Sequence, residues 1–167
     1  MAVFPPAAAR EDLLRRLPSG ARFTRPAKWH ITLAFLGDVP DFRVPELADA
    51  LTTVPPPPSF PLQLTGAGRF GSAVWVGLGG ALPALAALRE SVRAALEGAG
   101  FGIDSRPFRP HLTISYRSGR GLLPAIGGYA GPEWPVTGFA LVESLLGNYH
   151  TRQEWSLPAT PPAPSPH

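Results

Sequence analysis

Cysteine is missing from this sequence and lysine nearly so: 167 residues contain no cysteine, and Lys28 is the one lysine among fifteen basic side chains. Without cysteine there are no disulfides, thiol nucleophiles, zinc–thiolate sites or iron–sulfur clusters, although the absence points to no compartment. Long apolar runs are also missing, since no stretch reaches the roughly 20 apolar residues that a membrane-spanning helix needs. The start of the chain lacks the basic segment and apolar run of a secretory signal, so a soluble cytoplasmic protein is expected. Net charge is low, at +3. The fourteen arginines suit a phosphate ligand, because a planar guanidinium fork matches its oxygens. They do not demand one, because abundant Ala, Gly, Pro and Arg with little Lys is also what GC-rich coding produces.

Histidine is scarce too, with His30, His111, His150 and His167 making up the whole set. Two of the four share a context 81 positions apart: His30-Ile31-Thr32-Leu33-Ala34 and His111-Leu112-Thr113-Ile114-Ser115. Each reads His-x-Thr-x-small with large apolar residues in the gaps, the period of a half-buried strand. Alternation puts His30, Thr32 and Ala34 on one face and Ile31, Leu33 and Phe35 on the other, in the core. In the second copy His111, Thr113 and Ser115 face together. One such strand is usually a solvated face. Two matched copies read as half-sites of one cleft. His150 lies near a turn and His167 ends a proline-rich tail, and neither has a counterpart.

The length suits one domain or two small lobes sharing a core. Helices are expected over 7–17, 43–53 and 82–97, the last carrying the stripe Leu82, Leu85, Leu88, Val92 and Leu96 before Gly98 and Gly100. Pro55 to Pro58 form a stiff connector. The His-bearing strands are expected over 29–36 and 111–116. Other strands are expected at 62–64 and 73–76 around a Gly-rich turn at 66–71, and at 136–144 and 149–157 as a hairpin through Leu146-Gly147-Asn148. A glycine-rich loop is expected over 117–134. The fold class is α+β with a rough internal duplication, a single domain spanning 1–157, and a proline-rich disordered tail over 158–167.

Two imidazoles facing one cleft suit in-line displacement at phosphorus, one taking a proton from the attacking oxygen and the other giving one to the leaving oxygen. An ordinary histidine pKa of about 6.5 serves both roles near neutrality. Each threonine hydroxyl, roughly 6–7 Å along the strand from its histidine, can hold non-bridging phosphoryl oxygens. No acidic or further histidine ligand shares those faces, so neither metal nor cofactor is expected.

These motifs resemble those of the 2H phosphoesterase superfamily, in the branch of LigT-like RNA 2′,3′-cyclic phosphodiesterases, also called 2′-5′ RNA ligase-like proteins. Trp29 to Gly37 resembles the family's first motif and Arg109 to Ile114 its second. Gly68-Arg69-Phe70 with Val74 to Gly77 resembles the segment between them, and Leu141 to Ser144 with Tyr149 to Leu157 the closing hairpin. The resemblance covers about residues 2–157. It implies a bilobal fold, with two pseudo-twofold-related antiparallel lobes and flanking helices around a central cleft. It also implies metal-independent hydrolysis of 2′,3′-cyclic phosphates on RNA 3′ ends or nucleotides to 2′-phosphates. His30 would be the acid on the 3′ oxygen, His111 the base on water, and Thr32 and Thr113 phosphate ligands. Neither a membrane nor an obligate protein partner is implied.

Two departures stand out. Relatives often carry a phosphate-binding arginine five residues after the second histidine, where this chain has Tyr116, with Arg117 next. Strict alternation turns Arg117 toward the His111 face, and a bulge at the strand end reverses this in favour of Tyr116. Relatives also usually have several more strand residues before Val3, so the first strand is either truncated or begins upstream of Met1. Phe4, Phe35, Phe70 and Tyr116 are candidates for base stacking. Among them Phe35 is expected in the core and Phe70, in its Gly-rich turn, exposed. Alternatives to hydrolysis are 2′-5′ RNA ligation, a non-catalytic nucleotide- or RNA-binding module of the same fold, and an enzyme for other small cyclic phosphates.

Overall fold

Strands that alternate apolar and polar residues bury one face, and here they join edge to edge and turn that face toward the helices. A computed structural model describes residues 1–117 and 121–160. Among these residues the elements are β1 (Ala2–Val3), α1 (Ala7–Arg16), β2 (Ile31–Thr32), α2 (Val44–Thr52), β3 (Phe60–Phe70), β4 (Ala73–Gly80), α3 (Leu82–Gly98), β5 (Leu112–Ser115), α4 (Leu122–Ile126), β6 (Ala130–Val136), β7 (Gly138–Leu145) and β8 (Asn148–Ser156). The strands form one antiparallel sheet in the order β6-β3-β4-β5-β2-β1-β7-β8. The expected α+β class and antiparallel lobes are present, and the lobes are halves of a continuous sheet meeting at the β5–β2 seam. Their connectivity matches. β1-α1-β2 corresponds to β4-α3-β5, β7 flanks β1 as β3 flanks β4, and β8 and β6 close the two edges.

Proline begins three of the helices. Pro6 precedes α1, while Pro45 and Pro83 sit in the first turns of α2 and α3. There the ring presets φ, and its missing N–H costs nothing because first-turn N–H groups have no intrahelical partner. The α3 stripe Leu85, Leu88, Val92 and Leu96 is fully buried, each side chain contributing about 1.5–3 kcal/mol relative to exposure. It packs with Leu47 and Leu51 of α2, with Val3, Ile31 and Phe139, and with Leu62 and Trp134 of the other half of the sheet. A second cluster sets Leu13 of α1 against Trp29, Leu64, Val76, Leu112 and Ile114. Tyr129 adds a hydroxyl hydrogen bond of 2.8 Å to the Asp12 carboxylate of α1. The helices therefore cover one face of the sheet, and the His-x-Thr face stays open. No helix among the described residues is long and apolar enough to cross a membrane.

Five expectations need correction. The first His-bearing strand is ladder-paired only over Ile31–Thr32, not over 29–36. Beyond it the N–H groups of Leu33 and Ala34 both donate to the Met1 carbonyl, at 2.9 and 3.4 Å, which breaks the alternation. Leu33 and Ala34 are consequently both buried, and Phe35, expected in the core, is 74% exposed. The expected turn at 66–71 is mostly strand. β3 continues to Phe70 through an irregularity at Gly66 (φ 65°), and the chain reverses at Gly71-Ser72. The expected loop at 117–134 contains α4 and most of β6. Pro132 and Pro135 hid that strand, yet β6 is an edge, where proline is tolerated because one side of the ladder is unpaired. The strand expected over 136–144 is instead β7, Gly138–Leu145, separated from β6 at Thr137. Of the tail, Pro158 accepts a hydrogen bond from the Ser59 N–H at 2.7 Å and Thr160 donates to the Ser59 carbonyl. The rest of the tail, with His167, lies outside the described residues.

Candidate active site

The seam between the halves is held by one register, Ile31 opposite Leu112 in an antiparallel pair. Both side chains point into the core, so their neighbours along each strand face the open side. The same register sets His30 opposite Thr113 and Thr32 opposite His111. Directly opposed residues have Cβ atoms about 4.5–5.5 Å apart and diagonal ones about 7–8 Å. The four side chains therefore make a small square, with the histidines on one diagonal and the threonines on the other. By this register the Cβ of each threonine lies nearer that of the other half's histidine than that of its own, a relation that neither motif alone reveals.

Both rings are tethered in the same way. His30 Nδ1 lies 2.7 Å from the Lys28 carbonyl and His111 Nδ1 lies 2.6 Å from the Arg109 carbonyl. A carbonyl only accepts, so Nδ1 carries the hydrogen in each and Nε2 is left for proton transfer. An aromatic edge braces each imidazole. Tyr149 meets His30 with centroids 5.2 Å apart at 80°, and Phe70 meets His111 at 5.1 Å and 82°. Phe4 lies 5.8 Å from His30, while Trp75 lies 6.2 Å from His111 and 5.2 Å from Phe70. Trp75 is cross-strand from Thr113 on one side and from Gly68 on the other. Its indole occupies the space a side chain at Gly68 would need, since a Cβ there would fall 2.2 Å from the ring.

Burial pulls His30 below its ordinary value, the Lys28 carbonyl opposes, and the Met1 ammonium and then His111 add to the lowering. A groove of about 580 Å³ opens from His30, Thr32 and Tyr149, between the 34–38 segment and β7 at 141–145. His111 and Thr113 do not line it, so the groove extends one end of the site and is not its centre.

His30, Thr32, His111, Thr113 and Phe70 lie together at the seam. Beyond Thr113 the β4–β5 register shifts, pairing Trp75 with Thr113 but Val74 with Ser115. Ser115 is thereby turned into the core, 3% exposed, instead of sharing the His111 face, and its hydroxyl donates to the Arg117 carbonyl at 2.7 Å. The shift also reverses the alternation expected for the next two residues. Tyr116 reaches the Tyr149 phenol, and burial followed by that neighbour raises its own phenol above the usual value. Arg117 follows in the exposed turn. His150 stands apart, exposed on β8 opposite Glu143. Sequence reasoning overlooked Tyr149, Lys28 and Trp75 as parts of the site. Tyr149 carries no local signal, because it reaches His30 only once β8 has paired with β7 and β7 with β1. Among the described residues no group of three or more His, Asp or Glu is gathered to hold a metal ion.

Residues 4–148 match the family model of the 2′-5′ RNA ligase superfamily. The chain is similar to RNA 2′,3′-cyclic phosphodiesterases from three organisms. It is 42% identical over 93 residues to that of Geobacillus stearothermophilus, covering 52% of this chain and 29% of that protein. For Aeropyrum pernix the figures are 33% over 103 residues, 59% and 58%. For Thermus thermophilus they are 34% over 134 residues, 72% and 66%. The matches thus span between 29% and 66% of these relatives' own lengths. In three dimensions the chain superimposes on E. coli LigT complexed with 3′-AMP with a TM-score of 0.76, at 26% identity, covering 93% of this chain and 95% of that one. A Thermus thermophilus protein, TT0787, gives 0.75, at 28% identity, covering 95% and 96%.

Proposed function

Because the chain belongs to the 2′-5′ RNA ligase superfamily, we propose that it opens 2′,3′-cyclic phosphates on RNA 3′ ends or nucleotides to leave a 2′-phosphate and a free 3′ hydroxyl. The observation that supports this reading is the seam register, Ile31 opposite Leu112, together with the Nδ1 tethers that leave Nε2 of both His30 and His111 for proton transfer. The relatives named as RNA 2′,3′-cyclic phosphodiesterases support the reaction type.

In this scheme the cyclic phosphate sits over the square with its non-bridging oxygens on Thr32 and Thr113. His111 Nε2 takes a proton from water as the water oxygen forms its bond to phosphorus. The bond from phosphorus to O3′ breaks, and His30 Nε2 delivers its proton to that oxygen. The step leaves His111 charged and His30 neutral, and exchange with solvent restores both. Burial disfavours the charged His30 before substrate arrives, whereas the phosphate anion favours it, so binding charges the acid where it is used. Tyr116 is the better placed of the two candidates for a further phosphate contact, since it reaches the cleft-side Tyr149. Phe70, 41% exposed beside His111, is the candidate stacking surface for a base. With RNA ends as substrate, the proposed place of action is the cytoplasm.

Product analysis with a 2′,3′-cyclic nucleotide and with RNA ending in that group, in the presence of EDTA, tests the reading. A 2′-phosphate product is expected from both. No turnover removes the enzymatic reading, a 3′-phosphate reverses the leaving oxygen, and activity that requires added divalent ion overturns the metal-free mechanism.

A further inference from the structure

His30 and His111 are tethered alike, yet their surroundings differ in charge. The chain's one lysine lies two residues before His30, and its main-chain carbonyl is the oxygen that holds His30 Nδ1. Its side chain runs the other way. Lys28 Nζ donates to the Gly147 carbonyl in the turn between β7 and β8, and it sits 5.7 Å from the centre of the Tyr149 ring. That ring meets the His30 imidazole edge-on at 5.2 Å. Lys28 therefore grips His30 twice, directly through its backbone and indirectly through Tyr149. The turn it holds needs holding, because Leu146 adopts φ 49° and is 93% exposed, so little packing fixes it. On the other side, His111 is braced by Phe70, which has no hydroxyl, and Arg109 is exposed.

We propose that Lys28 and Tyr149 form a positioning unit for His30, clamping the β7–β8 turn against the acid's ring and making the two otherwise matched histidines inequivalent. A cation over an aromatic face is attracted by the ring's quadrupole, and its ammonium hydrogen bond pins the strand turn that carries the ring. The edge contact in turn keeps water off one side of the imidazole and limits its rotation. Neither residue takes or gives the reaction's proton. Their contribution is to hold Nε2 at the leaving oxygen, where a misplacement of about 1 Å can cost on the order of a hundredfold in rate. The kinetic consequence rests on the proposed phosphodiesterase activity, whereas the effect on His30 itself does not.

Titration of both histidines by NMR in the ligand-free protein, alongside steady-state kinetics on a 2′,3′-cyclic nucleotide, tests the unit in Lys28→Met, Lys28→Arg, Tyr149→Leu and Tyr149→Phe. Wild-type His30 is expected to titrate below the ordinary histidine value. In Lys28→Met and Tyr149→Leu its curve should move up toward that value as water gains the ring, while the His111 curve stays on the wild type's. The same two variants should lose about 10- to 100-fold in kcat with KM changed by less than about twofold. Lys28→Arg and Tyr149→Phe keep the cation and the ring, and should retain most of the low His30 titration. An unmoved His30 curve in both Lys28→Met and Tyr149→Leu overturns the proposal. So does an equal shift of both histidines. Should Tyr149→Leu fail to fold, Lys28→Met decides alone, since its side chain is only half-buried. If the wild type turns over no cyclic phosphate but His30 shifts as stated, the proposed activity falls and the positioning unit stands.

Discussion

At the scale of single residues, the two imidazoles and two hydroxyls were legible because alternation is a local rule that a short strand obeys. Ile31 and Leu112 are buried, so the polar residues between them had to face the other way. The same rule failed wherever the backbone left its ladder. Phe35 was misplaced by the paired N–H groups on Met1, and Ser115 by the register shift opposite Val74 and Trp75. On the proposed mechanism, that shift favours Tyr116 over Arg117 as the phosphate contact. Tyr116→Phe is therefore expected to lower kcat/KM by about 10-fold, the range of one lost hydrogen bond to a charged group, with Arg117→Ala close to wild type. Parallel kinetics on one cyclic substrate check this. An impaired Arg117→Ala beside an unimpaired Tyr116→Phe would return the phosphate contact to the arginine.

Among the elements, α3 was legible almost to the residue because its apolar stripe runs for four turns between clear stop signals. β6 was not. Its prolines and glycine look like a loop until the sheet order shows that it lies at an edge. The pairing of β3 with β4 holds a functional detail that composition also concealed. Gly68 in β3 is directly opposite Trp75 in β4, and the indole fills the place of the absent side chain. Adding a methyl group there must push the ring toward Phe70 and His111. Gly68→Ala should thus cost about 1–3 kcal/mol of stability through overpacking. It should also lower kcat while leaving the His30 surroundings intact. Denaturation and kinetics on the purified variant measure both, and unchanged kcat with full stability would show that Trp75 moves freely and does not brace the base.

Across the whole molecule, the duplication seen in two short motifs extends to the connectivity of the sheet, each half giving one histidine to the seam. What no motif could show is how the halves are kept in register. β2 and β5 share a single paired position, too little to fix a cleft. The helices supply the rest. α1 reaches from the first half to pack Leu13 on β3, β4 and β5, and α3 lies in a cluster drawing on both halves. Separating the lobes would expose these apolar faces, so the distance between the histidines is set by the core and not by the seam alone. On the proposed mechanism this distance serves one phosphate, with both imidazoles acting in the same transition state. Rates of 2′,3′-cyclic nucleotide hydrolysis for His30→Ala, His111→Ala and the double variant test it most directly. Each single change is expected to cost about 10²–10⁴-fold, and the double change little more than the worse single, as for groups that act as a unit. Losses that multiply in the double variant, or near-wild-type rates in both single variants, would contradict it.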